Sequence, residues 1–142
     1  MEEQLLKAWL NLSSCIWNRR MVTGLSYNEA LVFNLMYRQR DKHYTATELC
    51  GLTNFLKSQM NRTLCQMEDK GLIQRVRSKE DKRNVYIMPT LKGEEVYFKE
   101  HEEVLEIVRQ VISKLGPEKT VQVEKVLNEV AGAFKDASVE RK

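Results

Sequence analysis

A single alternating stretch interrupts a chain that otherwise repeats apolar side chains at every third or fourth position. Ile73, Arg75 and Arg77 share one side of a short strand, Val85 and Ile87 return on a second, and the charged run between them forms a tip. Pro89 is expected to end the pairing, because proline has no N–H to donate. Between Lys70 and Lys92 there are seven Lys or Arg residues and two acids, a local net of +5; the whole chain is +3, so the rest sums to −2. The basicity is therefore gathered in one hairpin, directly after a helix expected to stop at Lys70-Gly71. That shape suits a grip on a phosphate backbone.

The bulk numbers narrow the class. A chain of 142 residues with 30% charged and 42% apolar side chains is expected to form one folded domain with one core. No apolar run is long enough to span a bilayer, and the N-terminus lacks the order of a secretory signal, so a cytoplasmic protein with no membrane partner is expected. Cys15, Cys50 and Cys65 are an odd set at wide spacings, which argues against a disulfide framework. His43 and His101 are far apart and belong to no ligand motif, so neither a metal nor a cofactor is expected. An enzyme finds no support, since no nucleophile–base pair or glycine-rich phosphate loop is visible.

The remaining segments read as helices, with six glycines and two prolines to break them. Leu5, Trp9, Leu12 and Ile16 make one stripe over residues 4–20. Ser26 with Glu29 is a capping box that opens a helix over about 27–39, followed by the polar connection Arg40-Asp41-Lys42-His43. Thr45 with Glu48 opens a short helix stopping near Gly51, and a longer helix over about 55–70 follows. Short helix, tight connection and longer helix are the outline of a helix-turn-helix. In the longer helix Met60, Leu64 and Met67 share a side, while Lys57, Ser58, Gln59, Asn61 and Arg62 lie off it and are suited to base edges and phosphates. After the hairpin, Thr90 caps a helix to about Leu115, with Tyr97, His101, Val104, Val108, Val111 and Leu115 on its stripe. Gly116-Pro117 breaks the chain, and the last helix carries Val123, Val126, Leu127, Val130 and Phe134.

The fold class is thus mainly α, within α+β. The DNA-binding region is expected over 26–92, flanked by dimerisation helices at 1–22 and 93–138 of one domain, 1–142. The flanking stripes hold more apolar surface than a small winged region needs. Packing them against a second copy would cover Leu5, Trp9, Leu12, Ile16, Val108, Val111, Leu115, Val123, Leu127, Val130 and Phe134.

The run Met67-Glu-Asp-Lys-Gly-Leu-Ile-Gln-Arg75, then Asp81-Lys-Arg83, then Ile87-Met-Pro-Thr-Leu-Lys-Gly93 resembles the MarR family of winged helix-turn-helix transcriptional regulators. The resemblance implies a homodimer that binds palindromic double-stranded operator DNA, with the helix over 55–70 in the major groove. It implies that Arg83 is the wing arginine that enters the minor groove and that Asp81 braces its guanidinium. Arg75, Arg77, Lys79 and Lys82 complete the basic wing. The chain departs from the family at Leu56, where a small or polar residue is usual, at Asn54, which is often glycine, and at Pro89, which replaces a leucine.

The resemblance further implies a ligand-responsive repressor with a small aromatic effector, and Trp9, Trp17, Tyr27, Phe33 and Tyr37 are aromatics that would suit a pocket. At helical spacing the same residues also suit a core. Some members sense peroxide through a cysteine in the first helix, the place of Cys15, near Trp17, Arg19 and Arg20. The competing reading of Cys15 is a small buried apolar side chain. Cys50 and Cys65 are expected to pack in the core, His43 to face solvent and His101 to sit in an interface. A winged protein-interaction module without sequence-specific DNA binding is the other alternative.

Overall fold

The computed structural model describes residues 1–18, 24–39 and 41–138. Arg19, Arg20 and the rest of the first helix expected past Asn18 lie outside the described residues, as do Arg40 and the Trp17 side chain. The elements are α1 (Glu2–Asn18), α2 (Tyr27–Arg38), β1 (Tyr44–Thr45), α3 (Ala46–Leu52), α4 (Lys57–Asp69), β2 (Ile73–Arg77), β3 (Val85–Pro89), α5 (Leu91–Leu115) and α6 (Pro117–Ser138). The protein is mainly α, with a winged helix-turn-helix between flanking helices.

Local chemistry explains most boundaries. At the start of α2, Ser26 Oγ accepts the Glu29 N–H at 3.2 Å and Glu29 Oε1 accepts the Ser26 N–H at 2.8 Å. Thr45 and Glu48 repeat that reciprocal pair at the start of α3. Gly71 ends α4 in the left-handed region, φ 73°. Its N–H donates to Glu68 O at 2.9 Å and the Leu72 N–H donates to Met67 O at 2.9 Å, so a Schellman turn satisfies the last carbonyls. Thr90 caps α5 by accepting the Gly93 N–H at 3.0 Å.

The sheet has three antiparallel strands in the order β1-β3-β2. β1 was not expected: two residues cannot show alternation, and Thr45 already serves as a cap. β3 does end at Pro89, the last residue paired with β2 and opposite Ile73, but the missing N–H is not the cause, for the Thr90 N–H still reaches Leu72 O at 3.0 Å. Hydrogen-bonded pairs alternate along an antiparallel ladder, so the proline nitrogen points to the β1 side. β1 pairs only as far as Tyr44 opposite Ile87, so no donor is needed there.

The chain divides into two units, Met1–Val104 and Leu105–Lys142. The first has a core in which Val32, Phe33, Leu49, Met60, Leu64 and Met67 are almost wholly buried, joined by Ile73 and Ile87 from the hairpin. Phe33, Tyr37 and Tyr97 stack with centroids 5.0–6.3 Å apart. Glu100 is buried and its carboxylate accepts the N–H groups of Gly24 and Leu25. His101, expected in an interface, is half-buried and stacks on Tyr97. In the second unit Val111, Val126, Leu127 and Phe134 remain exposed.

Candidate nucleic-acid interface

The junction around α4 is fixed at both ends. Before it, Thr53 Oγ1 donates to Cys50 O at 3.2 Å and accepts the Phe55 N–H at 3.3 Å. Cys50 Sγ lies 3.5 Å from Phe55 O, and Phe55 packs against the core. After it, Lys70 Nζ pairs with Glu29 Oε1 at 2.7 Å, and Lys92 Nζ donates to Lys70 O at 2.8 Å. Thr90 Oγ1 also donates to Gly71 O at 2.5 Å. Gly93 is buried against this turn, where an added Cβ would come within 2.8 Å of the Leu72 carbonyl carbon. The turn after α4 and the exit of the wing thus meet on the same few backbone groups, the carbonyls of Lys70, Gly71 and Leu72.

With Met60, Thr63, Leu64 and Met67 buried, the other side of α4 faces solvent. Lys57, Ser58, Gln59, Asn61 and Arg62 are all exposed. The first turn contains no acid, so the positive end of the helix dipole stands beside Lys57 uncompensated.

The wing is basic and its tip is ordered by its own backbone. Ser78 Oγ accepts the N–H groups of Glu80 and Asp81 at 3.3 and 3.2 Å, and the Asn84 N–H donates to Asp81 O at 3.0 Å. Asp81 Oδ1 accepts the backbone N–H of Arg83 at 3.0 Å. The Asp81 contact is with the main chain two residues on, the ordinary Asx turn, rather than with the guanidinium expected from the resemblance to be braced on DNA. Arg77, Lys79, Lys82 and Arg83 are exposed and form no ion pair among the described residues. Arg75 differs, since its Nε lies 3.4 Å from Glu68 Oε2 and its Nη2 lies 3.9 Å from Cys65 Sγ. Glu68 has no sequence signal of this role, because the pair joins a helix to a strand.

The cysteines separate. Cys50 is half-buried against the core, whereas Cys65 is exposed, contrary to the expectation of packing. One residue past buried Leu64, it is turned about 100° around the helix and off the apolar side. Cys15 is exposed on α1, which excludes the buried apolar reading within the single chain. His43 faces solvent beside Tyr86. Among the described residues no metal-binding group of His, Cys, Asp and Glu occurs, and no helix is long and apolar enough to cross a membrane.

Among the described residues the aromatics named above occupy different places. Phe33 belongs to the core, and Trp9 and Tyr27 are exposed. Tyr37 instead lines a cavity of about 380 Å³ together with Lys42, His43, Tyr44, Glu94 and Phe98. Met36, Ile87, Met88 and Pro89 complete its wall.

The family model described as transcriptional regulator SarA/Rot matches residues 19–100, more than half of the chain. A search of the curated proteins finds no match. Among solved structures, FabT of Streptococcus pneumoniae in complex with DNA is similar at TM-score 0.72 and 21% identity, covering 95% of this chain and 96% of that one. PcaV, a transcriptional regulator of Streptomyces coelicolor in complex with its natural ligand, is similar at TM-score 0.74 and 16% identity, covering 92% and 91%. A MarR family protein of Bacillus stearothermophilus is similar at TM-score 0.69 and 18% identity, covering 94% of each chain.

Proposed function

Because the chain belongs to the SarA/Rot family of transcriptional regulators, within the MarR-type winged helix-turn-helix proteins, we propose that it is a homodimeric repressor that binds a palindromic operator and is released by a small ligand. The observation that carries this reading is the joint presentation of an acid-free first turn of α4 and a basic wing tip, both exposed, the turn before α4 and the tip each fixed by their own hydrogen bonds. In it Lys57, Ser58, Gln59, Asn61 and Arg62 meet the major groove. Arg77, Lys79, Lys82 and Arg83 serve the flanking backbone and minor groove, where a narrow groove concentrates negative potential. Arg75 stands behind them, tying the wing to α4 through Glu68.

The exposed stripes of α1, α5 and α6 supply the dimer contacts, and two-fold symmetry matches a palindromic site. The cavity walled by Tyr37, Tyr44 and Phe98 takes a small aromatic effector, with Lys42, His43 and Glu94 the charged or titratable side chains of its lining. An effector bound there shifts the population between DNA-competent and released arrangements. A mobility-shift titration of Arg62→Ala and Arg83→Ala beside the wild type, at fixed salt, tests the interface. Both variants should lose affinity at least about tenfold, the scale of a charged contact to DNA. Unchanged affinity in both would overturn it.

One observation favours a second reading of the release signal: Cys15 is exposed on α1 and open to oxidation. Loss of DNA binding with peroxide that Cys15→Ser resists would support that reading, and peroxide insensitivity of the wild type would remove it.

A further inference from the structure

Leu56 departs from the chemistry of the position it holds. It is the N-cap of α4, with extended backbone at φ −65° and ψ 150°, and no side chain caps that end. Serine, threonine, aspartate or asparagine would stabilise a helix there, as Ser26 and Thr45 do for α2 and α3. Leucine leaves the cap unmade and is itself 72% exposed. Both features are unfavourable in the free protein. Nor is the turn loose, since the Thr53, Cys50 and Phe55 hydrogen bonds fix it and Phe55 is anchored inward. The next residue is thereby held outward at the point where α4 begins.

We infer that Leu56 is a specificity residue, packing on the C5-methyl group of a thymine in the major groove. The inference rests on the reading of α4 as the recognition helix. In a helix-turn-helix the N-terminal residues of that helix meet the base edges. The thymine methyl is the apolar group that a base pair presents there. Lys57, Ser58 and Gln59 have polar partners on those edges, whereas leucine has only this one. Contact with it would also cover the apolar surface that water meets in the free protein.

The test uses the full chain and a site selected from random DNA. Each thymine of a half-site is replaced singly by deoxyuridine, which keeps the hydrogen-bonding edge and removes the methyl group. At one position uracil should weaken binding about fourfold, the size of one buried methyl group. Leu56→Ala should bind the thymine site less well and no longer distinguish thymine from uracil. Leu56→Ser, which restores a capping hydroxyl, should lose the thymine preference too while unfolding no earlier than the wild type. A wild type that binds its site yet is indifferent to uracil at every position overturns the inference, as does a Leu56→Ala variant that keeps the preference. If the wild type selects no sequence at all, the DNA-binding reading fails first and takes this inference with it.

Discussion

Glu29 at the start of α2 and Lys70 at the end of α4 stand 2.7 Å apart, Oε1 to Nζ. The glutamate is fully buried and the lysine side chain is 49% exposed. Glu29 Oε1 serves both the cap and the lysine, while Oε2 has no hydrogen-bond partner among the described residues. The buried charge thus relies on Lys70 as its ionic partner. Lys70→Met should lower stability by about 1–2 kcal/mol, the range for a hydrogen bond to a charged group with the exposed lysine discounted. Urea unfolding should show a lower midpoint at unchanged slope. An unchanged midpoint would show that the pair contributes nothing.

Two glycines should respond in opposite directions to alanine. At Gly93 an added methyl would overlap the Leu72 carbonyl group, so Gly93→Ala should cost about 2–3 kcal/mol by overpacking. At Gly132, inside α6, nothing lies within 4 Å of an added Cβ. Gly132→Ala should therefore raise stability by about 0.5–1 kcal/mol through helix propensity. Thermal unfolding of the two variants checks the contrast, and equal shifts would contradict it.

The wing should reveal itself in the salt dependence of DNA binding. Each phosphate contact neutralised by a cation contributes about −0.9 to the slope of log affinity against log salt. Replacing Lys79 and Lys82 by alanine together should make the slope shallower by about two. A slope that does not change would remove these lysines from the interface. Asp81→Ala should weaken binding less than Arg83→Ala does, because Asp81 acts through the backbone of the tip.

The dimer stripes can be tested without DNA. Val111 and Leu127 are 49% exposed in the single chain, and covering such surface is what a second copy would do. Charged substitutions there, Val111→Glu and Leu127→Glu, should turn dimers into monomers in sedimentation equilibrium. A wild type that is monomeric at every concentration would contradict the proposal.

What the sequence made legible was local. Ser26 with Glu29, Thr45 with Glu48, Gly71 and Thr90 mark element ends through contacts within a few residues. Apolar spacing then placed Met60, Leu64 and Met67 inward and the candidate DNA-contacting residues of α4 outward. What stayed hidden depends on partners distant in the chain. The burial of Glu29 needs Lys70, and the place of Arg75 needs Glu68 across a helix–strand gap. The need for glycine at 93 comes from the Leu72 backbone, twenty-one residues earlier. β1 is too short to show a period, and Cys65 differs from its buried neighbour Leu64 only by one helical step.

The most direct measurement of the central claim is selection of bound sequences from random double-stranded DNA by the full chain. The account predicts one enriched motif with inverted-repeat symmetry, its half-sites separated by about one helical turn. It also predicts that Arg62→Ala and Arg83→Ala degrade that motif at different positions, inner for the recognition helix and flanking for the wing. Enrichment of no sequence, with binding that depends on salt alone, would contradict it.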